Sequence, residues 1–248
     1  MSLISFASIA VILIAIIIFV ILLLWLRNRS AIVLRSIPAL RVLNQMIGRS
    51  VEEGSAIHIS LGTGSLVGRQ STAGFAGLST LDNLSRISLI GDRSAICTTG
   101  DGGLVILSQD ILRHAYRQAF RLGLYQGQQA RLSGATPAAY ISGTMTALLD
   151  EPIAGSVLIG SFDSLAVLLT TQPFGNLASL TAADTLQAQA ALFACSDESL
   201  LGEEIYAAGA YSGPNTSRTA SLITQDILRW LIINFMVLFI ILKATGLI

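Results

Sequence analysis

Residues 4–26 read ISFASIAVILIAIIIFVILLLWL, a run without charge whose polar side chains are Ser5 and Ser8. A stretch of about 20 apolar residues crosses hydrocarbon as a helix, because only a helix satisfies its own backbone where no water reaches. Residues 230–248 form a second such run, with Asn234, Lys243 and Thr245 as its polar members. Lys243 stands near the far end, where an ammonium on a long stem reaches the headgroups. The pattern predicts a transmembrane helix at each end of the chain.

Between the two ends the period changes. Residues 56–62, AIHISLG, alternate Ile57, Ile59 and Leu61 with His58 and Ser60, as a strand does. Residues 71–89 predict a helix, and residues 95–101 a short strand closed by Gly102 and Gly103. Helices follow at 109–123 and at 135–152, the latter entered at Pro137 and stopped by Pro152. Residues 156–160 read as a strand, 165–170 fit either state, 182–194 read as a helix, and 203–213 as a short helix ending at glycine. Alternation of this kind predicts an α/β fold, a single layered domain with a mostly parallel sheet, flanked by N- and C-terminal transmembrane helices. Residues 88–99 faintly echo residues 157–171, which fits either a duplicated βα unit or chance among small residues. The pentapeptide QDILR occurs at 109–113 and again at 225–229, each time after a hydroxyl residue, Ser108 or Thr224. A hydroxyl followed by an early Asp predicts a helix start at both places.

These elements divide the chain into a first transmembrane helix (1–26), a basic juxtamembrane neck (27–49), the α/β domain (50–223) and a helix entering the membrane (224–248). The neck interleaves Arg27, Arg29, Arg35, Arg41 and Arg49 with aliphatic residues, and Pro38 interrupts it. An amphipathic segment lying on anionic lipid fits this pattern, as does an extension of the first helix to Ser36. Arg229 precedes the second apolar run, so both membrane ends facing the middle of the chain are basic. The positive-inside rule then predicts a cytoplasmic central domain with both termini outside. Trp25 and Trp230, the two tryptophans, stand beside these arginines at the expected interfacial depth. A cleaved signal peptide fits the first run poorly, because it lacks a basic start and a small-residue cleavage site. Asn234 lies about one turn inside the second run, where an amide serves as a contact between helices.

The composition agrees, with 52% hydrophobic and only 12% charged residues. Residues 50–228 hold eight arginines and all fifteen acids, a formal charge of −7. An acidic domain above a basic neck excludes nucleic acid as a partner and suits a domain held near an anionic leaflet. Cys97 and Cys195 make no CxxC pair, and His58 and His114 are the two histidines, so no metal site is expected.

Residues 60–74, SLGTGSLVGRQSTAG, carry the one suggestive loop, between a strand and a helix. Gly62, Gly64, Ser65 and Gly68 would let a backbone approach a phosphate at a helix N-terminus. The spacing is G-x-G-x-x-x-G, no P-loop is present, and the single lysine is Lys243. The same glycines equally serve a tight crossover and close helix–strand packing. No G-x-S-x-G occurs, and Asp101 in GDGG reads as an Asp-Gly turn, so no catalytic residue and no cofactor are assigned. Arg113, Arg117 and Arg121 recur at helical spacing, either as a solvated face paired with Asp110 or as a strip docking on the acidic face of a neighbouring copy.

The strings RSVEEGSAIHISLGTGS, LSQDILRHAYRQA, LLGEEIYAAGAY and TQDILRWLI resemble an uncharacterised family of bacterial membrane proteins defined by a domain of unknown function. The resemblance covers most of residues 45–235 and implies a bacterial inner (cell) membrane location with a shared topology. It supplies no activity, ligand or catalytic residue. The expectation is a non-enzymatic scaffold that assembles with its own copies or organises another membrane complex. The alternative is a ligand-sensing domain that uses residues 60–71 for a nucleotide or phosphate.

Overall fold

The computed structural model describes residues 16–24, 37–68, 71–91, 93–171, 177–211 and 216–244. Within these, the first strand, β1 (Ala56–Gly62), is buried along its whole length, so both of its faces must be covered. Helices α1 (Pro38–Glu53), α2 (Ser71–Ser88) and α3 (Gly102–Gln118) lie on one face. Leu43 and Met46 of α1, Leu81 and Leu84 of α2, and Leu104 and Leu112 of α3 close there over Ile57, Ile59 and Leu61. The other face is covered by α4 (Pro137–Asp150) and by α5 (Leu186–Cys195). Tyr140, Ile141, Leu148, Ala188 and Leu192 pack there with Leu158 and Phe162.

The remaining strands are β2 (Ile96–Thr99), β3 (Ala130–Leu132), β4 (Ile153–Ser161), β5 (Ala178–Ala183) and β6 (Glu198–Leu200), followed by helix α6 (Glu204–Tyr211). The six strands form one sheet in the order β3-β2-β1-β4-β5-β6, with every pairing parallel. Register puts His58 beside Ile96 and Ser156, so the polar alternates of β1 all face α4. At Gly77 a Cβ would collide with Ile159 O, so the glycine lets α2 lie directly on β4. The sheet and its helices form one compact unit, Arg35–Gly213, and the last helix, α7 (Thr216–Ala244), belongs to another.

Several expectations change. Pro38 opens α1, where a missing N–H costs nothing, and Ile37 before it is extended. Ala39, Leu40, Leu43 and Met46 are buried in the main core, so residues 38–49 belong to the domain rather than to a lipid-facing neck. Residues 27–36 lie outside the described residues. The helix expected at 182–194 starts later, because residues 178–183 are the strand β5. Its alanines fit a tight space between layers, and burial overrides their helix preference.

Helix α3 starts at Gly102, where the Asp101 carboxylate accepts the Leu104 N–H at 3.0 Å, and it ends at Gln118. Ser108 therefore sits inside the helix, accepting a hydrogen bond from Cys97 Sγ at 3.4 Å. The second QDILR is also internal, since α7 begins at Thr216, and Thr224 Oγ1 donates back to Ala220 O. Neither copy of the pentapeptide starts a helix. The echo between residues 88–99 and 157–171 marks no repeat either, because one ends on a strand and the other begins on one.

Helix α7 has 29 residues, and Ser217–Val237 within it is long and apolar enough to cross a membrane by length and composition. Residues 16–24 are helical.

Candidate functional site

The strand order 3-2-1-4-5-6 is that of doubly wound dinucleotide-binding sheets, whose ligand crevice opens at the carboxyl ends of β1 and β4, where the order reverses. The glycine-rich loop leaves β1 at that point. Gly62 has φ 77°, and a Cβ on it would strike Ser161 O. Its N–H donates to Tyr140 Oη at 3.2 Å and its carbonyl accepts the Gly100 N–H at 2.8 Å. Thr63 N–H donates to Ser161 O at 3.0 Å. Here the ends of β1, β2 and β4 are stitched to one another, and Gly62 serves that closure.

Gly64 is buried. Ser65 is exposed, and its Oγ accepts the Val67 N–H at 3.3 Å. Gly68 has φ 113° with open space around it, and its carbonyl accepts from Ser71 Oγ at 2.7 Å, turning the chain into α2. The carboxyl edge also collects acids. Asp101 and Asp163 cap helical turns, and Asp184 Oδ1 is buried without a hydrogen-bond partner. Among the described residues, the loops at this edge carry no lysine or arginine. A phosphate arriving here would meet carboxylates and a backbone already hydrogen-bonded in part.

Beneath the carboxyl edge runs a buried polar seam. His58 is fully buried, with Nδ1 2.8 Å from Ser156 Oγ on β4 and Nε2 2.9 Å from Thr98 Oγ1 on β2. Tyr140 reaches down from α4, hydrogen-bonding Ser60 Oγ and lying 3.5 Å from Thr98 Oγ1. Burial, aided by the positive charge of Arg131, pushes the His58 pKa down to about 3. Burial likewise raises Tyr140 and pushes the Cys97 thiol up to about 12, against a smaller lowering by Ser108. At neutral pH His58 is an uncharged imidazole held on both nitrogens and out of reach of solvent, an interstrand peg rather than an acid–base catalyst. Sequence alone did not find this seam: the partners of His58 lie 40 and 98 residues away and meet it only through the strand order.

Charge is distributed unevenly across the sheet. Residues 132–213 contain eight acids and no lysine or arginine. They include β4, β5 and β6, with Glu198 on β6 and Glu203 and Glu204 at the start of α6, while α1, which packs on the same three strands, exposes Arg41 and Arg49. At the opposite edge, α3 packs on β2 and β3 and exposes Arg113 and Arg117. Arg121 lies beyond the end of that helix, and its Nη1 donates to Leu89 O at 3.3 Å. The expected three-arginine helical stripe is thus two exposed residues on α3 and a third held in the following turn. Between them Phe120 is 97% exposed at φ 56°, a left-handed backbone uncommon for a bulky residue. Ile90 and Leu124 are also exposed on this unit.

Trp25, Arg27 and Arg29 lie outside the described residues. Arg229 and Trp230 are exposed on α7, with Arg229 Nη1 3.9 Å from Asp226. Asn234 Nδ2 donates to Trp230 O at 2.7 Å, within its own helix. Among the described residues, no group of His, Cys, Asp and Glu is arranged to hold a metal ion.

No curated protein and no solved structure matches the chain. Residues 2–247 match a family model described as a domain of unknown function, DUF6754, and the chain belongs to that family.

Proposed function

We propose that this protein is a membrane-anchored, non-enzymatic assembly module whose α/β domains join head to tail, the arginine-bearing β3 side of one copy against the acidic β6 side of the next. Helix α7 and the apolar run at residues 4–26 are the anchors, and the domain lies on the cytoplasmic side of a bacterial cell membrane. The contrast between the acids that follow β6 and the exposed Arg113 and Arg117 of α3 carries this reading. Two surfaces that differ in sign favour a heterologous contact, which propagates into rings or rows under the membrane. Both edge strands are three residues long, which limits backbone pairing and leaves recognition to side chains. Phe120 adds the apolar anchor: burying such a side chain is worth about 1.5–3 kcal/mol, of the same order as the strain of its left-handed backbone.

The test uses the full-length chain in mild detergent, followed by sedimentation velocity at low and high salt. Oligomers should form at low salt and weaken as salt rises. Arg113→Glu with Arg117→Glu should dissociate them, as should Glu203→Arg with Glu204→Arg, and mixing the two double variants should restore association. A monomer under all conditions would refute the proposal.

One observation favours a second reading, a nucleotide or phosphate sensor: the glycine loop sits at the reversal point of a dinucleotide-type strand order. A thermal-shift screen with nucleotides and sugar phosphates separates the two readings. Stabilisation that is abolished by Gly64→Val would favour the sensor.

A further inference from the structure

Helices α4 and α5 each carry a second apolar side that the sheet does not use. On α5, Ala188 and Leu192 turn inward to Phe162 and Ala183, while Leu186, Ala190 and Phe193 recur at i, i+4 and i+7 on the exposed side. Leu186 is 82% and Phe193 62% exposed. On α4, Tyr140, Ile141 and Leu148 turn inward, while Ala138, Ser142 and Leu149 lie outside at helical spacing, Leu149 with 65% of its surface open. The short helical turns Ser164–Val167 and Leu168–Thr171 touch both helices and expose Leu165 and Leu168 between them. A surface helix turns one apolar stripe to the core and a polar face to water, and a helix apolar all round is buried all round.

This layer is also free of charge. Residues 137–149, 164–171 and 186–195 contain no Asp, Glu, Lys or Arg, whereas the helices on the opposite face carry both signs, Arg41, Glu53, Asp82 and Arg117 among them. The missing charge selects the occupant. An anionic leaflet holds a surface through lysine or arginine, and this one has neither. Across a two-fold axis a surface meets its own copy, so a cluster of one sign would face itself. A neutral face escapes that repulsion, and Ala138, Ser142 and Ala190 leave room for opposed helices to approach.

We propose that the α4–α5 layer is the contact of a two-fold dimer, packed against the same layer of a second copy, with Leu149, Leu165, Leu168, Leu186 and Phe193 as its apolar content. The contact goes beyond the head-to-tail one and uses none of its residues, Arg113, Arg117, Glu203 and Glu204. The two together turn a single row into a double row.

The experiment is sedimentation velocity of the full-length chain in mild detergent at about 1 M salt, where the screening length is about 3 Å and the head-to-tail contact is weak. A dimer should remain, both in the wild type and in Arg113→Glu with Arg117→Glu. Phe193→Arg and Leu149→Arg, each at an exposed position that a folded copy tolerates, should each weaken it at least tenfold. In a Cys195→Ser background, where Cys97 is buried, Ala190→Cys should react with a maleimide at least tenfold more slowly at high protein concentration than at low. A monomer at high salt would overturn the proposal even if oligomers form at low salt, and a dimer that does not grow at low salt would support it while refuting the head-to-tail contact alone. Dimers unchanged by both arginine variants would overturn it. So would fast labelling of Ala190→Cys at every concentration, or slow labelling at every concentration, which would mean that lipid, detergent or another part of the same chain covers the face.

Discussion

Lowering the pH from 8 to 5 should cost the domain about 2 kcal/mol through His58 alone. In the folded protein its pKa stands at about 3, against 6.5 ordinarily, chiefly because burial penalises the imidazolium and secondarily because Arg131 is positive. Above pH 6.5 neither state takes the proton and His58 contributes no pH dependence. Below it the unfolded chain binds the proton while the folded one does not. Stability therefore falls by about 1.4 kcal/mol per pH unit, down to the folded pKa. The interval from 6.5 to 5 gives the 2 kcal/mol. Urea titrations of the wild type and His58→Gln in mild detergent, followed by circular dichroism at pH 8 and pH 5, isolate the effect. The carboxylates titrate alike in both proteins, so the difference in slope belongs to His58. The variant should be less stable at pH 8, where Ser156 and Thr98 lose their partner, yet flatter with pH by about 2 kcal/mol. Parallel pH curves would refute the reasoning, as would a His58 resonance titrating near 6.5 in the folded protein.

Gly77→Ala forces a Cβ into Ile159 O and should lower stability by about 1–3 kcal/mol in the same assay, with Gly48→Ala, in open space, as the mild control. Phe120→Gly relieves a positive φ and should stabilise the monomer by about 1 kcal/mol while weakening self-association, two signs read by unfolding and by sedimentation. At pH 8 a maleimide should label one cysteine in the native protein, the exposed Cys195, and two after unfolding, because Cys97 is buried with its thiol pKa up at about 12.

Strong local periodicity made the elements around the site readable from sequence. β1 announced itself by alternation, α4 by Pro137 and its apolar spacing, and β4 by a short aliphatic run. Where the local signal was shared by two states, tertiary packing decided. α1 interleaves Arg41 and Arg49 with Leu40, Leu43 and Met46, a pattern that suits a lipid surface as well as a sheet. The alanines of β5 favour a helix until two covered faces demand small residues in a strand. β3 and β6 are too short for any period to register. QDILR looked like a helix start because capping chemistry is local, yet Asp101 had already capped α3 seven residues before Ser108. The His58 seam and the charge contrast both depend on which strands are neighbours, and no local pattern encodes that.

The central claim rests on opposite edges of one sheet recognising each other, and the charge-reversal mixture tests it most directly. The Arg113→Glu, Arg117→Glu protein and the Glu203→Arg, Glu204→Arg protein should each sediment as smaller species than the wild type at low salt. The first keeps its acidic β6 side and the second keeps its basic β3 side, and their two altered edges are again opposite in sign. Mixed, they should recover the faster-sedimenting boundary. Failure of the mixture to associate, or wild-type boundaries from either double variant alone, would contradict the account.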